Sequence, residues 1–388
     1  MYKKYYKKFL DANIGIQHYA SHSHHYWPDV TREAMLEYWD DSARLVDDKW
    51  NHIFSNKIPE TQKLIANILQ LSNPSQIVFA PNTHEFIYRL LSCFDVRKKI
   101  NVLTTDSEFY SFDRQINRMS EDALIDVEKI ATFPFDDFED RFIERIKSKS
   151  YDMIFFSHVF FNSGMVVKNL KKIIDAVKDS QTMIVIDGYH GFMALPTNLS
   201  EIESRVFYLS GSYKYAQGGE GCCFLHVPQN SSYRPIYTGW FAGLDELSNI
   251  SNTVSYPNSG LRFAGSTMDF AALYRLNAVL NLFQSENLSV EKIHTHIQQL
   301  QHNFRDHLLS IDHHYLTEKN IISVDYNHHG HFLTFAMPSP IHAKNLHDEL
   351  KGHKIITDFR GNKLRFGFGI YQNDVIDLSA MKLTAKKS

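Results

Sequence analysis

Between Ile77 and Val227 the chain alternates short apolar runs with amphipathic segments, and this alternation restricts its architecture more than any other feature. The apolar runs are Ile77–Ala80, 100–104, 124–130, Tyr151–Ser157, Met183–Asp187, Val206–Ser210 and Cys222–Val227. Segments with helical spacing separate the earlier ones, at 84–94, 111–121, 138–148 and 168–179. Short buried strands alternating with helices predict an α/β fold with a parallel sheet covered on both faces.

Outside this region the rhythm differs. Residues 31–48 and 60–71 read as amphipathic helices. After residue 260, two long helical patterns at 267–285 and 289–311 precede strand-like runs at 321–325, 332–336 and 364–368. This predicts a large domain over 50–258, with 1–49 and 259–388 forming a smaller one whose C-terminal part is α+β. The 41 basic residues against 44 acidic leave no electrostatic footprint for nucleic acid. Three cysteines permit no disulfide framework and no spaced metal pair. The N-terminal residues lack the apolar run of a signal peptide, and no stretch of about 18 apolar residues predicts a membrane span. The expected location is cytoplasmic. The 21 histidines raise the question of a metal. His22, His24 and His25 have no Asp, Glu or Cys at ligand spacing, so no metal site is expected.

In an open α/β sheet, ligands bind beyond the C-terminal ends of the strands. Four such ends carry polar residues. Asn82-Thr83-His84 opens a helix, either as a simple cap or as a phosphate site. Asp187-Gly188-Tyr189-His190 follows a buried strand, and its carboxylate serves either as a turn cap or as the partner of a protonated ring nitrogen. Lys214 follows the next strand and precedes the Gly218-Gly219-Glu220-Gly221 loop. It is either a surface lysine or a desolvated, nucleophilic one. Ser157-His158, with Asn162-Ser163-Gly164 beyond, reads as a polar loop or a fourth wall of the same site.

A phosphate cradle, then a strand-end Asp, then a Lys 27 positions on, is the order of fold type I pyridoxal-phosphate (PLP) enzymes. The chain resembles the class V aminotransferase family, most closely its kynureninase branch. Asp187-Gly-Tyr-His190 is similar to the family's Asp-x-x-His, and Ser212-Tyr213-Lys214-Tyr215 to the segment around the cofactor lysine. Gly239-Trp240-Phe241, Gly260–Thr267, Asp358-Phe359-Arg360 and Leu364–Asn373 also resemble family segments. The resemblance implies a large domain built on a mainly parallel seven-stranded sheet sandwiched by helices, plus the smaller C-terminal domain. It further implies that Lys214 holds PLP and moves the α-proton, that Asp187 pairs with the pyridine nitrogen, and that His190 neighbours the ring. Phe109 would stack on the ring, with Asn162 and Ser212 nearby. Asn82, Thr83, His84 and Tyr213 would surround the phosphate. Trp240 with Ser266 or Thr267 would reach it from the other subunit of a homodimer with shared active sites. Arg365 would take the α-carboxylate of an amino-acid substrate in a bidentate fork. Trp50 and His25 are candidates for the substrate pocket, or else packing residues.

Two segments depart from kynureninases. Phe109-Tyr110-Ser111-Phe112 stands where they carry Phe-Pro-Ser/Thr-Asp, and Asn162-Ser163-Gly164 where they carry Tyr-Thr-Gly. A desulfurase would need a nucleophilic cysteine late in the chain, and none follows Cys223. The leading expectation is an aminotransferase-like enzyme of amino-acid metabolism. The alternatives are a kynureninase-type hydrolase or lyase that cleaves the substrate side chain, and an inactive PLP-fold binding protein.

Overall fold

The protein is described here by a computed structural model covering residues 2–95, 97–246, 252–311, 313–322, 328–373 and 376–378. The N-terminal elements are α1 (Lys7–Ala12), β1 (Gln17–His18), α2 (Val30–Leu45), α3 (Lys49–His52) and α4 (Ile58–Leu69). The central region runs β2 (Ile77–Ala80), α5 (Thr83–Leu91), β3 (Ile100–Thr105), α6 (Tyr110–Glu121), β4 (Ile125–Ile130) and α7 (Phe138–Ser148). It continues with β5 (Met153–Ser157), α8 (Leu170–Ala176), β6 (Met183–Asp187), β7 (Val206–Gly211) and β8 (Cys223–His226). The C-terminal region contains α9 (Ala271–Ser285), α10 (Val290–Ser310), β9 (Phe332–Ala336), α11 (Pro340–Gly352), β10 (Ile355–Ile356), β11 (Asp358–Arg360) and β12 (Lys363–Gly367).

Seven strands form one sheet in the order β2-β8-β7-β6-β5-β3-β4. Every residue of β2, β5, β6, β7 and β8 is buried, as expected for strands covered on both faces. One strand departs from a wholly parallel sheet: β8 runs antiparallel to both β7 and β2. A parallel return needs a crossover of a dozen or more residues, usually a helix. The stretch between Gly211 and Cys223 carries the Lys214 loop and no helix, so the chain turns straight back.

The register sets up the functional edge. Ser157 lies opposite Asp187, and Asp187 opposite Leu209. Three neighbouring strands therefore end together, and the loops after them converge. Helix α5 begins at the same edge because Asn82 caps it, accepting the Glu85 amide on its side chain. Phe86, Ile87, Leu90 and Leu91 bury its apolar stripe and fix its direction. Phe112 of α6 stacks on Phe155 of β5 with ring centroids 3.6 Å apart, holding the start of α6 over the sheet.

A three-stranded antiparallel sheet, β11-β12-β9, lies in the C-terminal region. The N-terminal segment joins it: β1 pairs in parallel with β10, and Ala20 bridges to Gly367. Within the expected strand at 321–325, Ile321 forms an isolated bridge to Phe335, and 323–325 lie outside the described residues. Helix α11 goes beyond the sequence expectations. Only Ala343, Leu346 and Leu350 are buried along it, a stripe too thin to stand out among its polar residues. Among the described residues, no helix is long and apolar enough to cross a membrane.

Candidate active site

A cavity of about 210 Å³ opens at the C-terminal edge of the seven-stranded sheet. Its walls include Asn82, Thr83 and His84 from the start of α5, Phe109 before α6, and Asp187 and His190 after β6. Tyr213 and Lys214 after β7 complete the expected set. The strand ends thus bring together residues 132 positions apart in sequence, from 82 to 214.

Lys214 is 5% exposed, and its Nζ lies 2.7 Å from His190 Nε2. The Phe109 and Tyr189 rings are 5.2 and 4.7 Å from the same nitrogen. Burial lowers the Lys214 ammonium to about 7, with Arg365 adding to the effect and Asp187 and Asp358 opposing it. His190 is driven well below the usual histidine range by burial first and then by Lys214 and Arg365, so it stands neutral beside the amine. The Asp187 carboxyl is raised by burial, against the Tyr189 amide and Lys214. Its Oδ1 accepts that amide at 2.8 Å, which leaves its second oxygen for a ligand in the cavity.

The other expected residues fall outside the cavity wall. Asn162 donates to Ser107 at 2.9 Å. The Ser212 hydroxyl donates to the Gly219 carbonyl, closing the lysine loop rather than facing the cavity. Trp240 is 40% exposed, and its indole N–H donates to Thr267 at 3.2 Å; Ser266 and Thr267 are exposed. Trp50 packs edge-on against Trp240, Phe241 and Phe270. His25 is buried with Nδ1 on the Tyr26 carbonyl at 2.7 Å. Arg365 is also buried. Its Nε and Nη2 engage both oxygens of Asp358 at 2.7 and 2.6 Å, and Nη1 donates to the carbonyl of Phe161.

Ser157, from the fourth polar strand end, and Tyr189, from the turn after Asp187, also line the cavity. Phe161 and Cys223 line it too, without a separate signal in the sequence. Behind the wall, Glu108 is fully buried, accepting from Thr105 at 2.6 Å and from the Ser157 hydroxyl at 2.6 Å. Burial raises its carboxyl to about 8. Glu108 lies three residues past the end of β3, after Asp106, where no local pattern marks it.

The family pattern described as aminotransferase class-V matches residues 26–362. The chain belongs to this family. No curated protein matches. Among solved structures, the cystine C–S lyase C-DES in complex with its product cysteine persulfide is similar at a TM-score of 0.79 and 18% identity, covering 97% of this chain and 99% of that one. A C-DES variant with glycine covalently linked to the PLP cofactor gives 0.78 and 17%, covering 98% and 99%. The apo cysteine desulfurase of Thermococcus onnurineus NA1 gives 0.77 and 16%, covering 96% and 95%. At these identities the likeness establishes the fold, which is fold type I.

This class V member is a PLP-dependent enzyme, and its cavity fits the cofactor. A buried, low-affinity amine can hold the aldehyde, and the open oxygen of Asp187 can hold the ring nitrogen. The face of Phe109 lies across from Lys214. The α5 amino terminus brings the positive end of its dipole to the cavity edge, where a phosphate is favoured.

Proposed function

We propose that the protein is an aminotransferase-type enzyme acting on a free α-amino acid. The observation that carries this reading is the buried Lys214–His190 pair in the cavity. PLP bound there supplies an electron sink that makes the substrate α-proton acidic. Lys214 is the buried base in reach, and an amine near neutrality at working pH both takes and returns a proton efficiently. Transamination needs one such base to move one proton between two carbons. His190, neutral at its side, orients the amine without competing for the proton. Asp187 keeps the ring nitrogen protonated. Arg365 binds the substrate α-carboxylate.

A kynureninase-type cleavage of the substrate side chain is the second reading. It is favoured by the phenols of Tyr189 and Tyr213 in the cavity wall, which can donate a proton to a leaving carbon. Desulfurase chemistry is disfavoured: Cys222 and Cys223 are buried, burial raises both thiols, and no cysteine follows them. Incubating the purified holoenzyme with a panel of amino acids separates the readings. Keto-acid formation that requires a second keto acid, with ping-pong kinetics, supports transamination. Release of a shortened amino acid without an acceptor supports cleavage and overturns the primary reading. Loss of neither substrate nor cofactor band with any amino acid would favour a binding protein.

We further propose a homodimer that shares its sites. Ile236, Tyr237, Tyr88 and Trp240 expose 66, 49, 45 and 40% of their surface. Tyr88 and Tyr237 stack at 4.0 Å within this patch. Trp240 and Thr267 bond to each other outside their own chain's cavity, which suits residues that complete a partner's. Light scattering on the holoenzyme should give twice the 45.1 kDa chain mass; a monomer would refute it.

A further inference from the structure

We propose that Asp358 and His22 are positioning residues for the substrate carboxylate: Asp358, braced by His22, grips one edge of Arg365 and leaves its other donors for the substrate. This rests on the reading of Arg365 given above.

A guanidinium carries five N–H donors in a planar fork. Asp358 takes the Nε and one Nη2 hydrogen in a bidentate pair, and the carbonyl of Phe161 takes one from Nη1. One hydrogen is left on each terminal nitrogen, enough for a second bidentate carboxylate. Phe161 itself lines the cavity, so the fork lies against the wall.

The grip is built in from three parts of the chain. Asp358 and Arg365 face each other directly across β11 and β12. The two strands are joined at Gly361, which has φ +54°. His22 comes from the N-terminal segment, and its Nε2 lies 3.0 Å from Asp358 Oδ1. The imidazole is fully buried, stacked on Phe332 at 4.9 Å. A Cβ on Gly367 would sit 2.2 Å from His22 Nδ1, so bare backbone there is what admits the ring. Burial and Arg365 lower His22 to about 4, leaving it neutral and able to donate one hydrogen from Nε2. The Asp358 carboxyl is held far below the usual range by His22 and Arg365, so it remains a charged acceptor. Without Asp358 the guanidinium would lose two of its three anchors and turn. A displacement of about 1 Å costs on the order of a hundredfold in a site of this kind.

The test compares L-alanine with L-alaninamide, which lacks the carboxylate, by titrating the visible absorbance of the holoenzyme. Wild-type enzyme should prefer alanine, and Arg365→Ala should abolish the preference. Asp358→Asn should cut the preference about tenfold to a hundredfold while leaving alaninamide binding and the cofactor band in place. His22→Gln should act in the same direction by a smaller factor, and it decides the matter alone if Asp358→Asn fails to fold. An unchanged preference in both variants overturns the proposal. Tighter alanine binding by Asp358→Asn also overturns it, since Asp358 would then be a competitor for the fork. No preference in wild-type, or one that survives Arg365→Ala, would instead remove the Arg365 reading beneath it.

Discussion

Replacing His25 with glutamine should flatten the acid dependence of stability. His25 is 2% exposed, its Nδ1 is bonded to the Tyr26 carbonyl, and its Nε2 has no hydrogen-bond partner among the described residues. The rings of Tyr371 and Tyr215 lie edge-on at 5.1 and 6.4 Å. Burial lowers this histidine from 6.5 to about 4, with the Tyr26 carbonyl opposing. At about 1.4 kcal/mol for each factor of ten in proton affinity, that separation is worth roughly 3 kcal/mol. Between the two values the unfolded chain holds the proton and the folded chain does not. The contribution is therefore complete above about pH 6.5 and lost as pH falls toward 4. At pH 5 roughly 2 kcal/mol should already be gone. Urea unfolding of wild-type and His25→Gln holoenzyme at pH 8 and pH 5, at one PLP concentration, measures this directly. The variant should lose roughly 2 kcal/mol less than wild-type between the two conditions. An identical loss in both proteins would refute the reasoning. A raised KM with an unchanged acid dependence would return His25 to the substrate pocket.

Other outcomes test the site. Lys214→Ala should lose the visible band of bound PLP, and an unchanged spectrum would contradict the assignment of the lysine. The rate at which apoenzyme captures PLP should rise with pH through about 7, because the free amine is the nucleophile and the ammonium is not. Stopped-flow rates that stay flat from pH 6 to 8.5 would contradict a lowered Lys214. Gly188→Ala would place a Cβ 2.0 Å from the buried Tyr208 ring, beneath the Asp187 turn. It should cost about 1–3 kcal/mol of stability and weaken PLP retention; an unchanged Tm would show that Tyr208 gives way.

The parts of the site that were legible in the sequence share one property: each belongs to a single strand and the turn after it. Asp187, His190 and Lys214 are polar residues at the ends of continuous apolar runs, so period and position alone mark them. Asn82 was open to two readings, and the structure shows that its side chain caps α5 while α5 itself sits at the cavity. Residues placed by resemblance rather than by local pattern scattered more widely. Asn162, Ser212 and Trp240 carry bonds to neighbours outside the cavity. Glu108 and Phe161 sit three and four residues past the ends of β3 and β5, beyond the reach of the strand pattern, so no local signal marks them.

By itself the sequence determined the strand order along the chain, the burial of those strands, and which turns carry reactive groups. All of these follow from short-range periodicity and from the cost of ending an apolar run on an unpaired polar group. Only the tertiary structure decided that β8 turns back, that Lys214 meets His190, and that Arg365 is held by Asp358 while His22 braces that carboxylate. Those outcomes depend on register and loop length, and on contacts between residues as far apart as 22 and 358. No local pattern encodes such a contact, because its energy exists only once the sheet has brought both ends together.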